Sequence, residues 1–129
     1  MVIDTSAILA ILFDEPERSH FAELIEADET RLISAATFLE AALVVEARRG
    51  EAAGRELDLL MHRAQISIVP FDAEQSEVAR VAWRQYGKGR HSAGLNYGDC
   101  FSYALARVSG EPLLAKSGDF ARTDVSLCT

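Results

Sequence analysis

Residues 1–13 read MVIDTSAILAILF. Three apolar residues lead to Asp4, Thr5 and Ser6 follow, and residues 7–13 carry no charge. Val2 and Ile3 fit the end of a short buried strand. Ser6 to Phe13 fits a helix, with Thr5 or Ser6 available as its cap. A carboxylate between two apolar segments is expensive to bury. Asp4 is therefore a helix cap, an exposed turn residue, or one member of a site, and the choice depends on the rest of the chain.

Strands and helices alternate outward from this opening. Phe21, Leu24 and Ile25 make a helical stripe over Glu17–Ala27, and RLISA, from Arg31 to Ala35, reads as a strand. ATFLEAALVVEARRG is a helix closed by two arginines and Gly50, as dipole and C-cap preferences favour. Glu51–Ala64 is another helix, with Leu57, Leu60, Met61 and Ala64 on one face. ISIVPF is a strand stopped by Pro70, and Ala73–Tyr86 is helical. Gly87–Gly98 carries four glycines and reads as a loop before a helix over Asp99–Ser109. PLLAK is a buried strand, with a last short strand around Val125. This order predicts one α/β domain over residues 1–129, a three-layer sandwich with a mainly parallel central sheet. Open sheets of this kind place their sites at the carboxyl ends of the strands.

Composition narrows the function classes. In 129 residues, 13 basic side chains against 20 acidic ones leave a net charge of −7, which disfavours general nucleic-acid binding. The charge is uneven, because Arg80, Arg84, Lys88, Arg90 and His91 share a stretch with no acid. That stretch is either a phosphate-binding strip or a solvated helix face. No apolar run is long enough to suggest a membrane span, and a start with Asp4 and no basic residue does not fit a signal peptide. The expected location is cytoplasmic, and Cys100 and Cys128 are expected to be reduced. His20, His62 and His91 are scattered, with no zinc-ligand spacing.

Four acids stand in unusual places. Asp4 follows the first strand, Asp119 follows PLLAK, and Asp99 opens a helix after the glycine-rich loop. Glu40 has helical neighbours Ala36, Thr37, Leu43 and Val44, so its face is uncharged. Glu46 is the contrast, with Arg49 and Gly50 beside it at the basic end of the same helix. Each acid alone has an ordinary reading. Asp4 or Asp99 can cap a helix, Asp119 can serve a turn, and Glu40 can find a backbone or Arg partner. As a set they would repel one another in a cleft, and no Lys or Arg is local to Asp4, Glu40 or Asp99. A hard divalent cation such as Mg²⁺ or Mn²⁺ resolves that repulsion with carboxylate oxygens.

The blocks IDTSAIL (3–9), SAATFLEAALVV (34–45), NYGDCFSYALA (96–106) and LLAKSGDFARTDV (113–125) resemble, in order and separation, the four blocks of PIN-domain ribonucleases. The closest resemblance is to the VapC-type toxins of bacterial toxin–antitoxin pairs. It implies an α/β sandwich and hydrolysis of RNA phosphodiesters at an acidic, Mg²⁺-dependent site where Mn²⁺ can substitute, with no covalent intermediate. Asp4 and Asp99 match the core metal ligands, and Glu40 a ligand acting directly or through water. Asp119 matches the fourth acid, beside Gly118 where many relatives carry a polar or acidic residue. Ser6 and Asn96 match polar positions that support the acids. The resemblance also implies a small cognate antitoxin that obstructs the site, and a homodimer.

On that reading, Arg84, Lys88 and Arg90 would guide RNA phosphates to an otherwise repulsive cleft. Trp83 beside them is either a base-stacking or a core residue. The apolar first helices, Ser6–Ala27, are either a partner surface or ordinary core. A basic or aromatic antitoxin segment is expected to enter the cleft. Two other readings compete. Phosphatases with a nucleophilic aspartate need a second acid two residues on, where this chain has Ser6. A catalytically silent PIN-like module that binds RNA or protein would keep the fold without the chemistry.

Overall fold

Along two neighbouring strands, successive residues face opposite layers of apolar side chains, as the two-residue strand period requires. Val2 and Leu113 pack into one cluster, and their neighbours Ile3 and Leu114 into the other. The computed structural model describes residues 1–116 and 118–129; Ser117, within KSGDF, lies outside them. Among the described residues, β1 (Val2–Ile3), β2 (Leu32–Ser34), β3 (Ser67–Val69) and β4 (Leu113–Leu114) form a parallel sheet in the order β3-β2-β1-β4. The helices are α1 (Thr5–Leu12), α2 (Arg18–Ala27), α3 (Ala35–Arg63), α4 (Ala73–Tyr86) and α5 (Tyr97–Ser109), followed by a 3₁₀ turn over Gly118–Arg122.

The expected three-layer sandwich is present. One face of the sheet carries α1, α2 and α3 through Ile8, Phe21, Ile25, Ala41 and Leu57. The other carries α4 and α5 through Ala79, Ala82, Tyr103 and Leu105. The apolar residues Ile8, Ile11, Phe21 and Ile25 of α1 and α2 are buried. These side chains are therefore core, and the large exposed apolar residues start at Leu39 and Leu43 on α3. The strand order reverses at β1, whose neighbours are β2 on one side and β4 on the other. This reversal opens a crevice at the strands' carboxyl ends, where Asp4 and Asp119 follow β1 and β4.

Several boundaries differ from the sequence expectation for local reasons. The cap of α1 is Asp4, whose Oδ2 accepts from the Ser6 backbone N–H at 3.1 Å, so the helix begins at Thr5. Asn96 caps α5, which therefore begins at Tyr97 rather than Asp99. The two helices expected on either side of Gly50 abut as α3, bent where Gly50 takes φ +79°. A Cβ there would meet nothing within 4 Å, so the requirement for glycine is conformational rather than steric. The last extended contact is a bridge between Leu113 and Leu127, not at Val125.

Phe120 is fully buried against the α4–α5 layer and anchors the 3₁₀ turn that carries Asp119. Phe120→Ala is expected to cost about 3–5 kcal/mol of stability, read as a lowered urea midpoint with an unchanged slope.

Candidate active site

A cavity of about 300 Å³ at the crevice is lined by Asp4, Glu40, Asp99 and Asp119, together with Ser6, Asn96 and Arg48. The four acids come from the end of β1, from α3, from the first turn of α5 and from the 3₁₀ turn after β4. They are far apart in sequence, and the parallel topology brings them together.

Asp4 is buried at 4 % exposure, yet both of its oxygens are engaged. Ser102 donates to Oδ1 at 2.6 Å, and the Ser6 hydroxyl donates to Oδ2 at 2.7 Å. The Lys116 backbone N–H donates in turn to the Ser6 Oγ at 2.9 Å, so Ser6 ties the end of β4 to Asp4. Thr37 lies 3.4 Å from Ser102 and extends this buried hydroxyl chain to α3. These bonds give the buried carboxylate oxygens the partners that solvent does not supply there. Asp4 is thus both the cap and a cavity residue, so those two readings were not exclusive.

Glu40 is half-buried and Glu46 exposed, as their helical neighbours implied. Thr5 donates to Glu40 Oε1 at 2.5 Å. The carboxylate of Glu40 lies directly over Gly98, where a Cβ would stand 2.3 Å from Oε2 and 2.9 Å from Oε1. Only glycine permits that approach. It sets the Glu40 charge on the first turn of α5, where the helix dipole favours anions.

Asp99 and Asn96 form a reciprocal capping box. Asn96 Oδ1 accepts from the Asp99 backbone N–H at 2.9 Å, and Asp99 Oδ2 accepts from the Asn96 backbone N–H at 3.0 Å. Burial pushes the Asp99 carboxyl up from 3.8 to about 6; the Asn96 hydrogen bond opposes this, and the charges of Asp4, Asp119 and Glu40 add to it. Burial is thus the main cause of the shift, and repulsion within the set is a smaller addition to it. Asp119 is partly exposed at the rim of the same cavity.

Three contributors escaped the sequence reading. Ser102 stands one helical turn after Asp99, and Thr5 adjoins Asp4. Arg48 follows Glu40 and Val44 at intervals of four along α3 and lines the same cavity, with its guanidinium 5.3 Å from the centroid of the Phe13 ring. A ladder of i+4 positions from Glu40 would have found it. The basic strip behaves differently. Arg84, Lys88 and Arg90 are exposed but do not line the acidic cavity.

The donor set is all oxygen, anionic and free of His or Cys, which fits Mg²⁺ or Mn²⁺. Among the described residues, no three potential ligands stand close enough to hold an ion as they are. Each of Asp4, Glu40 and Asp99 is instead held by hydrogen bonds of its own.

The Asp99 shift has a consequence for the metal-free protein. A carboxyl raised on folding contributes stability that is full below its unfolded value and lost as pH rises through its folded one. That window runs from 3.8 to about 6. Asp28, whose carboxyl is lowered chiefly by the Thr30 backbone hydrogen bond, acts only at more acidic pH and in the opposite sense. Thermal unfolding in EDTA should therefore give a Tm that falls from pH 4.5 to 7, with a flatter profile in Asp99→Asn.

The PIN domain family model matches residues 1–126. Ribonuclease VapC30 of Mycobacterium tuberculosis is 60% identical over 126 residues, which cover 98% of this chain and 96% of that protein. The crystal structure of M. tuberculosis VapC20, a sarcin–ricin loop-cleaving toxin, superposes with a TM-score of 0.78 at 18% identity, covering 98% of this chain and 97% of that one. A toxin–antitoxin complex from Klebsiella pneumoniae gives 0.70 at 21% identity, covering 98% and 95%. The two solved structures bear on the fold alone.

Proposed function

The chain belongs to the PIN-domain family, among the VapC ribonuclease toxins of toxin–antitoxin systems, and from that premise we propose that Asp4, Glu40, Asp99 and Asp119 form its Mg²⁺- or Mn²⁺-dependent endoribonuclease site. The observation that carries this reading is the convergence of all four carboxylates on one cavity at the sheet's switch point.

Bound there, a divalent ion would activate water and offset charge on the scissile phosphate. Asp4 and Asp99 would hold it, with Glu40 acting directly or by orienting the attacking water, and Asp119 closing the rim. Ser6 and Ser102 keep the Asp4 oxygens fixed. Asn96 fixes Asp99, and Gly98 lets Glu40 reach the site. Arg48 gives the cavity one cation for an approaching phosphate.

The family implies an antitoxin partner. An acidic cavity fits a basic antitoxin side chain, and the exposed Leu39 and Leu43, on the helix that carries Glu40, fit an apolar protein contact, with an antitoxin or with a second copy in a homodimer. Among the described residues no helix is long and apolar enough to cross a membrane.

The test is cleavage of total tRNA and rRNA by the purified chain, freed of antitoxin, with Mg²⁺, with Mn²⁺ and with EDTA. Discrete products that require metal are expected. Intact RNA in every condition would favour the silent binding module.

A further inference from the structure

A second cavity, of about 460 Å³, lies between α4 and α5 and is lined by Phe71, Arg80, Trp83, Tyr97, Cys100 and Phe101 among others. We propose that this aromatic groove is a nucleobase subsite, holding an unpaired base of the RNA whose phosphate is cut at the acidic cavity. The proposal rests on the ribonuclease reading above and extends it to how the substrate is held.

Two aromatic side chains in the groove are unusually open, with Trp83 41% and Tyr97 81% exposed. Each nevertheless makes packing contacts with its neighbours. Tyr97 packs edge-on to Phe101 at 4.8 Å, and Phe101 packs edge-on to Phe71 at 4.8 Å. The Trp83 ring lies against Gly87, where a Cβ would stand 2.6 Å from its Cδ1, and the Arg90 guanidinium covers it at 4.2 Å from the centroid. Such exposed aromatic side chains suit base stacking, which tolerates any base.

Charge and continuity favour RNA over an apolar peptide. Among the described residues lining the groove none is acidic, and Arg80 is the charged one, in a protein of net charge −7. The first turn of α5 is the wall between the two cavities. Asn96 and Asp99 line the acidic side, whereas Tyr97 and Cys100 line the aromatic side. A strand with a phosphate at Asp99 therefore has a neighbouring base within reach of Tyr97. The basic strip gains a role here rather than at the acids, through Arg80 and Arg90.

Trp83 is the only tryptophan, so its emission reports on the groove directly. The experiment titrates the whole chain in EDTA at low ionic strength with an oligoadenylate of about eight nucleotides, against an abasic ribose–phosphate oligomer of equal length. The same preparation is assayed for metal-supported RNA cleavage. Oligoadenylate should quench Trp83 while the abasic oligomer does not, and Tyr97→Ala should weaken oligoadenylate binding about tenfold with an unchanged Tm. Equal quenching by the abasic oligomer, or unchanged binding by Tyr97→Ala, would overturn the subsite. Cleavage without quenching would overturn the subsite and leave the ribonuclease reading intact. Absence of both binding and cleavage would overturn both. Quenching by a purified cognate antitoxin but not by RNA would assign the groove to a protein contact and overturn the proposal.

Discussion

Asp99→Asn is expected to lower metal-dependent RNA cleavage by more than about 100-fold, since even the loss of an outer partner of a metal ligand typically costs 10- to 100-fold. The substitution is close to isosteric, and the amide oxygen still accepts from the Asn96 backbone N–H, so the capping box that starts α5 survives. What disappears is the negative charge, along with the repulsion among Asp99, Asp4, Asp119 and Glu40. The variant should therefore fold as well as wild type, or better above pH 6, while failing to cut. Asp4→Asn is a less clean probe. Both Asp4 oxygens accept hydrogen bonds, one of them from the Ser6 backbone N–H, which cannot reverse direction. Steady-state cleavage rates beside matched unfolding curves separate the two effects. A variant that cuts at the wild-type rate would remove Asp99 from the site.

Gly98→Ala should reduce cleavage roughly 10- to 100-fold without touching any acid, because misplacing a reacting group by about 1 Å costs on that order. The added methyl would stand 2.3 Å from Glu40 Oε2 and force the carboxylate off the first turn of α5. Gly98 has no positive φ, so alanine is tolerated by the backbone and favoured by helix propensity. Global stability should hold while activity falls. A second substitution, Glu40→Gln, tells the roles apart. If Gly98 acts by placing Glu40, the losses in the double variant are less than additive. Additive losses, or an active Gly98→Ala, would show that the close approach is packing alone.

Much of this arrangement was legible in the residues. The two-residue strand period and the helical stripes of Phe21 and Ile25 are local signals, and they place the layers correctly. Asp4, Glu40 and Asp99 could be singled out because no cation is local to them, and Asp119 because it follows the strand PLLAK. The sequence could not reveal the partners that hold them, since Ser102 meets Asp4 across 98 residues and Thr5 meets Glu40 across 35. Hydroxyls carry no pattern of their own, and serine or threonine in a helix usually serves its own backbone. Arg48 stands two helical turns from Glu40, beyond its adjacent i+3 and i+4 positions, and reaches the cavity only through the fold. The aromatic groove depends on how α4 packs on α5, a tertiary fact that neither helix encodes alone. The apolar face of α1 and α2 showed the converse limit. Periodicity says that a face is buried, but not whether by its own fold or by a partner.

The central claim is that these carboxylates form one divalent-cation site. It is tested most directly by titrating the chain with Mn²⁺ at neutral pH and reading free Mn²⁺ by electron paramagnetic resonance, beside Asp99→Asn and the exposed control Glu46→Gln. Binding by wild type and Glu46→Gln that is lost or strongly weakened in Asp99→Asn is the predicted result. Equal binding by all three proteins, or no binding by wild type, would contradict it.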